Sequence, residues 1–326
     1  MAAPRYGVLV SRVMGFLLRK LQHKDVWERI LRERLTEPLH LNGLSLLVWA
    51  VGSYRAKIAF DLVVRQWNAY GILKAADQAN ALGISRVSLV EFGVAAGAGL
   101  MNMAEIARRV TRVTGVQFQL YGFDTGAGLP PPTDYRDHPD LYQQGECGMD
   151  VEALRNALPP NAQLVLGDLA HTVRPFIDAL SPREPIGYVS VDVDYYSSTV
   201  SALRMLTASP EKYLPVTVMF FDDVNNERHT SACGELLAID EFNRAHRLRQ
   251  IEQHQFLENS RVFRRADWIK HIYYLHVLDH PHRSTRSREA LPKVWIENPY
   301  LKPPAIPPLQ VPRGRPSSPP PPRPQS

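Results

Sequence analysis

Acidic residues close or directly follow a series of apolar runs in this chain: Glu91-Phe-Gly93, Asp124, Gly167-Asp168, Asp192-Val-Asp194 and Asp222-Asp223. Asp192, Asp222 and Asp223 are the most informative. Carboxylates crowded at one rim repel, and each raises the pKa of the others unless a cation joins them. Oxygen ligands without cysteine, and without a compulsory histidine, favour Mg2+ or Mn2+ over zinc. Asp194 is placed beside this set and outside it, because the chain is expected to turn at that point. A helix cap at Asp223 and a solvated Asp194 would account for the same residues without any metal.

A second constellation is the run of spaced glycines Gly93, Gly97 and Gly99. They lie between an apolar, valine-rich run at 87–94 and a segment at 100–113 whose apolar side chains recur at helical spacing. A glycine turn between strand and helix lets a backbone press against a nucleotide-like ligand and aims helix amides at it. Close packing of a crossover would need glycine too. Asp124 falls 25 residues beyond Gly99, a spacing at which an acid at a strand end hydrogen-bonds a ribose diol, whether of a dinucleotide or of S-adenosylmethionine. Asp168 could accept from an adenine amino group, or could equally cap the helix after it.

The elements that must hold these residues follow from periodicity. Strands are expected at 87–94, 117–124, 162–166, 186–191 and 216–221, with two closing strands near 251–257 and 271–278. Helices are expected at 100–113, 151–158, 173–180, 198–207 and 234–246, and a longer helical zone at 55–82 with a joint at Tyr70-Gly71. Strand and helix alternating through five units imply an α/β fold with a doubly wound parallel sheet, whose ligands bind beyond the carboxyl ends of the strands. The acidic strand ends then gather on one edge. Residues 125–150 form a loop too long for a compact domain unless it covers a site.

The 326 residues, 44% hydrophobic and 22% charged, suit one large soluble domain with appendages. A net charge of +5 is spread thinly, so a solvated basic face accounts for it and no nucleic-acid partner is expected. Cys147 and Cys233 lie far apart and form no CxxC pair, which fits a reducing, cytoplasmic setting. Residues 8–35 read as amphipathic helices, with charged residues from Arg19 onward and no cleavage site, so no signal peptide is expected. The apolar run at 44–51 is far short of the roughly 20 residues that span a bilayer. The domain organisation read from this pattern is an N-terminal helical segment at 1–70, a cap or homodimer interface able to touch a membrane surface, then a main domain at 71–298. A disordered, proline-rich tail occupies 299–326.

Four of these segments together resemble a known family. Glu91-Phe-Gly-Val-Ala-Ala-Gly-Ala-Gly99 is similar to the first motif of class I S-adenosylmethionine-dependent methyltransferases. Gly122-Phe-Asp-Thr-Gly-Ala-Gly-Leu-Pro130, Val191-Asp-Val-Asp-Tyr-Tyr-Ser-Ser-Thr199 and Phe221-Asp-Asp-Val224 resemble the metal-dependent branch that contains the macrocin-type sugar O-methyltransferases. The similarity covers about residues 85–245. It implies a Rossmann-like, seven-stranded sheet, mostly parallel with an antiparallel last strand. It also implies a methyl donor on Glu91, Gly93, Gly97 and Asp124, and a divalent metal on Asp192, Asp222 and Asp223. The chain departs from the pattern at Tyr213-Leu-Pro215, where the family usually has a Gly-Gly turn, and in its insert at 134–142.

The expected activity is therefore transfer of a methyl group from S-adenosylmethionine, assisted by Mg2+, to a hydroxyl of a small molecule or sugar. Gly99 and Asp168 join the cofactor set, and His138 and His229 are the candidate general bases by their placement after strand ends. An NAD-dependent oxidoreductase would use the same turn, but the spacing here is GxxxGxG in place of GxGxxG. A non-catalytic binding module on the same fold is the other alternative.

Overall fold

The computed structural model describes residues 31–225 and 228–284. Residues 8–30 of the helices expected at 8–35, and the proline-rich tail at 299–326, lie outside the described residues. No helix among those described is long and apolar enough to cross a membrane.

Strand β1 (Arg86–Phe92) shows why the sheet forms where it does. Val87 and Leu89 pack into one apolar layer and Val90 and Phe92 into the other, all essentially inaccessible. A strand buried on both faces in this way belongs at the centre of a parallel sheet. The remaining strands are β2 (Gln117–Asp124), β3 (Ala162–Leu166), β4 (Ile186–Val191), β5 (Tyr213–Phe221), β6 (Arg249–Gln253) and β7 (Ile272–Val277). They form one seven-stranded sheet in the order β3-β2-β1-β4-β5-β7-β6. β1 to β5 pair in parallel, and β7 runs antiparallel to both β5 and β6. This is the Rossmann-like sheet with an antiparallel last strand that the sequence implied.

Helices α3 (Gln66–Ala81) and α4 (Ala98–Thr114) cover one face. The other is covered by α6 (Leu169–Ala179), α7 (Tyr196–Leu203) and α8 (Gly234–Ala245). Before them stand α1 (Leu39–Val51) and α2 (Tyr54–Ala59), and the short α5 (Val151–Ala157) precedes β3. The chain leaves β1 for β2 on one side, and after β3 it returns to β4 on the other. The carboxyl ends of β1 and β4 therefore flank the topological switch point, where an open α/β sheet leaves a crevice.

Three local expectations differ from the structure. The helical zone at 55–82 breaks at 60–65, with Asp61 and Arg65 at positive φ, and not at Tyr70-Gly71. Gly71 lies inside α3 because a Cβ there would overlap the Tyr188 ring of β4, so this glycine serves close packing. That helix also runs through residues 70 and 71, so the expected division between segments falls inside a buried element and not in a linker. β5 begins three residues early, at Tyr213, and Pro215 is accommodated where the β4–β5 register shifts between Ile186 and Tyr188.

Candidate cofactor and metal site

At the switch point the end of β1 touches the end of β4. The Asp192 amide donates to Phe92 O at 2.9 Å, and a Cβ on Gly93 would overlap the Asp192 carbonyl oxygen. Gly93 has φ +83°, a conformation open to glycine and costly for other residues. Gly97, at φ +84°, leads directly into α4 and packs against Leu154 of α5. At Gly99 a Cβ would overlap Glu91 Oε1. The three glycines thus have three separate spatial reasons, and only that of Gly99 concerns a side chain of the site.

Glu91 is buried, and its Oε2 has no hydrogen-bond partner. Burial pushes its carboxyl up to about 8, against the pull of Arg65 and with a further push from Asp124. A buried acceptor left without a partner is costly unless a ligand supplies a donor. Asp124 is more fully engaged than its expected ribose role requires. Its Oδ2 accepts from the Val94 and Ala95 amides at 2.9 Å each, and its Oδ1 accepts from the Gly126 amide at 2.7 Å. An ionised carboxylate offers about four acceptor positions, so one remains on Oδ1. Asp124 therefore shapes the glycine turn as well as facing the cavity. Asp168 caps α6 through its Oδ1 and the Ala170 amide, and it lines the same cavity.

That cavity, about 920 Å³, is lined by Glu91, Gly93, Gly99, Asp124, Asp168 and Asp192 among others. The 125–150 loop forms much of its wall, through Leu129, Pro130, Thr133 and Cys147. The loop is held by Asp137, which sequence reasoning missed. Asp137 is fully buried and accepts from the Thr133 amide and hydroxyl (2.7 and 2.6 Å) and from the Ser197 amide and hydroxyl (2.8 and 2.9 Å). It thereby fastens the insert to the first turn of α7. No periodicity marks such a residue, since its partners lie across a loop.

The acidic rim is assembled differently from its expected form. One oxygen each of Asp192, Asp194 and Asp223 lies within 4.8 Å of the others. Asp222 is exposed and contributes none, although its charge raises Asp192. Successive side chains at a strand end face opposite ways, so Asp222 and Asp223 do not both turn inward. Asp194, placed outside the set by the sequence, takes the third position through a left-handed backbone at φ +60°. Burial first, and then the acidic neighbours, push Asp194 up to about 7, Asp223 up to about 6 and Asp192 well above the carboxylate range. Asp223 Oδ2 has no hydrogen-bond partner. Close, partly desolvated oxygens of one sign fit a hard divalent cation.

His138 and His229 are brought together, their rings stacked at 4.5 Å, but neither lines the cavity. Tyr142 connects them to the rim: its hydroxyl donates to Asp223 Oδ1 at 3.0 Å and lies 3.2 Å from His229 Nε2. Burial, and then His138, lower the His229 pKa. Behind Asp223, Glu235 is fully buried and accepts the Asp223 amide at 2.9 Å. Tyr142 and Glu235 carry no motif in the sequence and become visible only as neighbours of Asp223.

No known family model matches the chain, and no curated protein matches it. Among solved structures it is similar to the calicheamicin methyltransferase CalS11, at 21% identity over 53% of this chain and 69% of that one, with a TM-score of 0.41. It is also similar to the plantazolicin methyltransferase BpumL in complex with a monoazolic desmethylPZN analog and SAH, at 11% identity over 73% of this chain and 97% of that one, TM-score 0.31. Identities and scores this low assign no activity.

Proposed function

We propose that the chain is an S-adenosylmethionine-dependent, Mg2+-assisted O-methyltransferase acting on a hydroxyl of a small molecule or sugar. The observation that carries this reading is the junction of two half-sites: a cavity holding a glycine turn and an unpartnered buried Glu91, and a carboxylate rim of which Asp192 and Asp194 line that cavity while Asp223 joins them from outside its lining. Glu91, the Gly93–Gly99 turn and the remaining acceptor position of Asp124 would hold the nucleoside and amino acid parts of the donor. Asp192, Asp194 and Asp223 would hold the cation. A cation held there would polarise an acceptor hydroxyl and lower its pKa, and the sulfonium donor would supply the methyl group.

The chain's own residues orient. The loop fastened by Asp137 forms much of one wall of the cavity, and rigid placement of acceptor and donor is what an in-line displacement needs. Asp192 and Asp194 line the cavity, so the cation site faces the space an acceptor would occupy. His229 and His138 serve through Tyr142 and Asp223, since they do not reach the cavity.

Calorimetric titration with S-adenosylhomocysteine and with NAD tests the donor half. Binding of S-adenosylhomocysteine alone is expected, and binding of NAD alone would overturn the reading.

A further inference from the structure

Helix α1 presents an apolar surface that lies well outside the cavity described above. Among its 13 residues, LHLNGLSLLVWAV, none is Asp, Glu, Lys or Arg. Leu39 and Leu46 are each 72% exposed, Trp49 66% and Val51 77%, and Leu44 and Leu47 are exposed as well. Single exposed apolar residues are ordinary, whereas a contiguous set on one helix marks a surface that meets something else.

A second observation gives the charge of that partner. Pro38, Leu39 and Leu41 form one side of a groove of about 770 Å³, and Val262, Arg264 and Arg265 form the other. The one carboxylate in the groove, Glu37, is buried and spends its Oε1 on the backbone amides of Arg264 and Arg265, at 2.6 and 2.8 Å. Both guanidinium groups are therefore exposed with no carboxylate partner among the described residues. Arg261 differs, being buried against Asp61. A second copy of this chain meeting the same face about a two-fold axis would bring its own Arg264 and Arg265 to the rim. Lipid phosphates would neutralise it.

We propose that α1 and the Arg264–Arg265 rim dock on an anionic membrane surface. The leucines and Trp49 enter the boundary between headgroups and acyl chains, where an indole is favoured, and the two arginines engage lipid phosphates. This inference is independent of the methyl-transfer reading.

The test is co-sedimentation of the full chain with phosphatidylglycerol/phosphatidylcholine vesicles and with pure phosphatidylcholine vesicles. Sedimentation with the anionic vesicles, reduced by added salt, is expected. Arg264→Ala/Arg265→Ala is expected to weaken partitioning on the order of 30-fold, and Leu46→Glu/Leu47→Glu to abolish it. All substituted side chains are exposed, so retained S-adenosylhomocysteine binding or an unchanged circular dichroism spectrum shows that a variant is folded. Equal sedimentation with both vesicle types, or with neither, overturns the proposal. So does a self-associated chain that dissociates on Leu46→Glu/Leu47→Glu and never sediments with vesicles.

Discussion

The Tyr142 hydroxyl donates to Asp223 Oδ1 at 3.0 Å, across 81 residues of sequence. This bond ties the long loop after β2 to the end of β5, so the wall of the cavity and its acidic rim move as one piece. Hydrogen bonds to charged groups contribute about 1.5–3 kcal/mol. Tyr142→Phe is accordingly expected to weaken divalent-cation binding about tenfold while leaving S-adenosylhomocysteine affinity unchanged. Calorimetry with Mn2+ and with the nucleoside measures the two separately, and equal losses in both would contradict the division into halves.

Substitutions at two glycines separate folding from binding. Gly93→Ala places a methyl group into the Asp192 backbone at positive φ, and neither neighbour can yield. A loss of stability of about 3 kcal/mol or more is expected on denaturant unfolding. Gly99→Ala meets only the Glu91 carboxylate. It is expected to keep most of the stability and lose S-adenosylhomocysteine affinity by about tenfold, because Glu91 must swing away.

Glu91 also makes stability depend on pH. Its carboxyl is pushed from an ordinary 4.5 to about 8 by burial, so between these values the folded chain holds a proton that the unfolded chain has released. Stability from this group is fully present below pH 4.5 and is lost as pH rises toward about 8. Glu91→Gln is expected to flatten this part of the profile and to raise the melting temperature at about pH 8. Scanning fluorimetry across the range checks the slope, and an unchanged slope in the variant would remove Glu91 as its source.

The paired acids at the end of β5 are unequal. Asp223 is buried among Tyr142, Asp194 and Glu235, whereas Asp222 is exposed. Asp223→Asn and Asp194→Asn are expected to reduce methyl transfer by 100-fold or more, on the order seen for loss of a group acting in the transition state. Asp222→Asn is expected to cost less than about tenfold. EDTA should silence the wild-type chain and added Mg2+ restore it. Turnover undiminished by EDTA would sink the metal.

Asp137→Ala removes a fully buried carboxylate and with it the acceptor of the Thr133 and Ser197 amides and hydroxyls. A destabilisation of about 3 kcal/mol is expected. Faster amide hydrogen exchange should be confined to the 125–150 loop and the start of α7, and an unchanged exchange pattern would show that the insert is held by other contacts.

The sheet was largely legible in the sequence because its signals are local. β2, β3 and β4 fall at the expected residues, since each is a short apolar or alternating run closed by an acid or glycine. The glycine turn and Asp124 were legible for the same reason. What escaped depends on pairs distant in sequence. Nothing near Gly71 announces the Tyr188 ring that requires it, and nothing near Asp194 reports that a left-handed turn swings its carboxylate inward. The chain does turn at Asp194, as expected, but the turn carries that carboxylate into the set, whereas Asp222 is exposed.

The order of the strands bears on how the chain is made. β6 has β7 as its one neighbour in the sheet, and β5 is paired on its second edge by the same strand. While the polypeptide emerges from the ribosome, both therefore expose unsatisfied backbone groups until residues 272–277 have been synthesised. A nascent chain halted before that point carries an open, apolar edge at β5, and such an edge recruits other strands. Among the described residues, the last strand to be translated is thus also the one that closes the edge of β5 against aggregation.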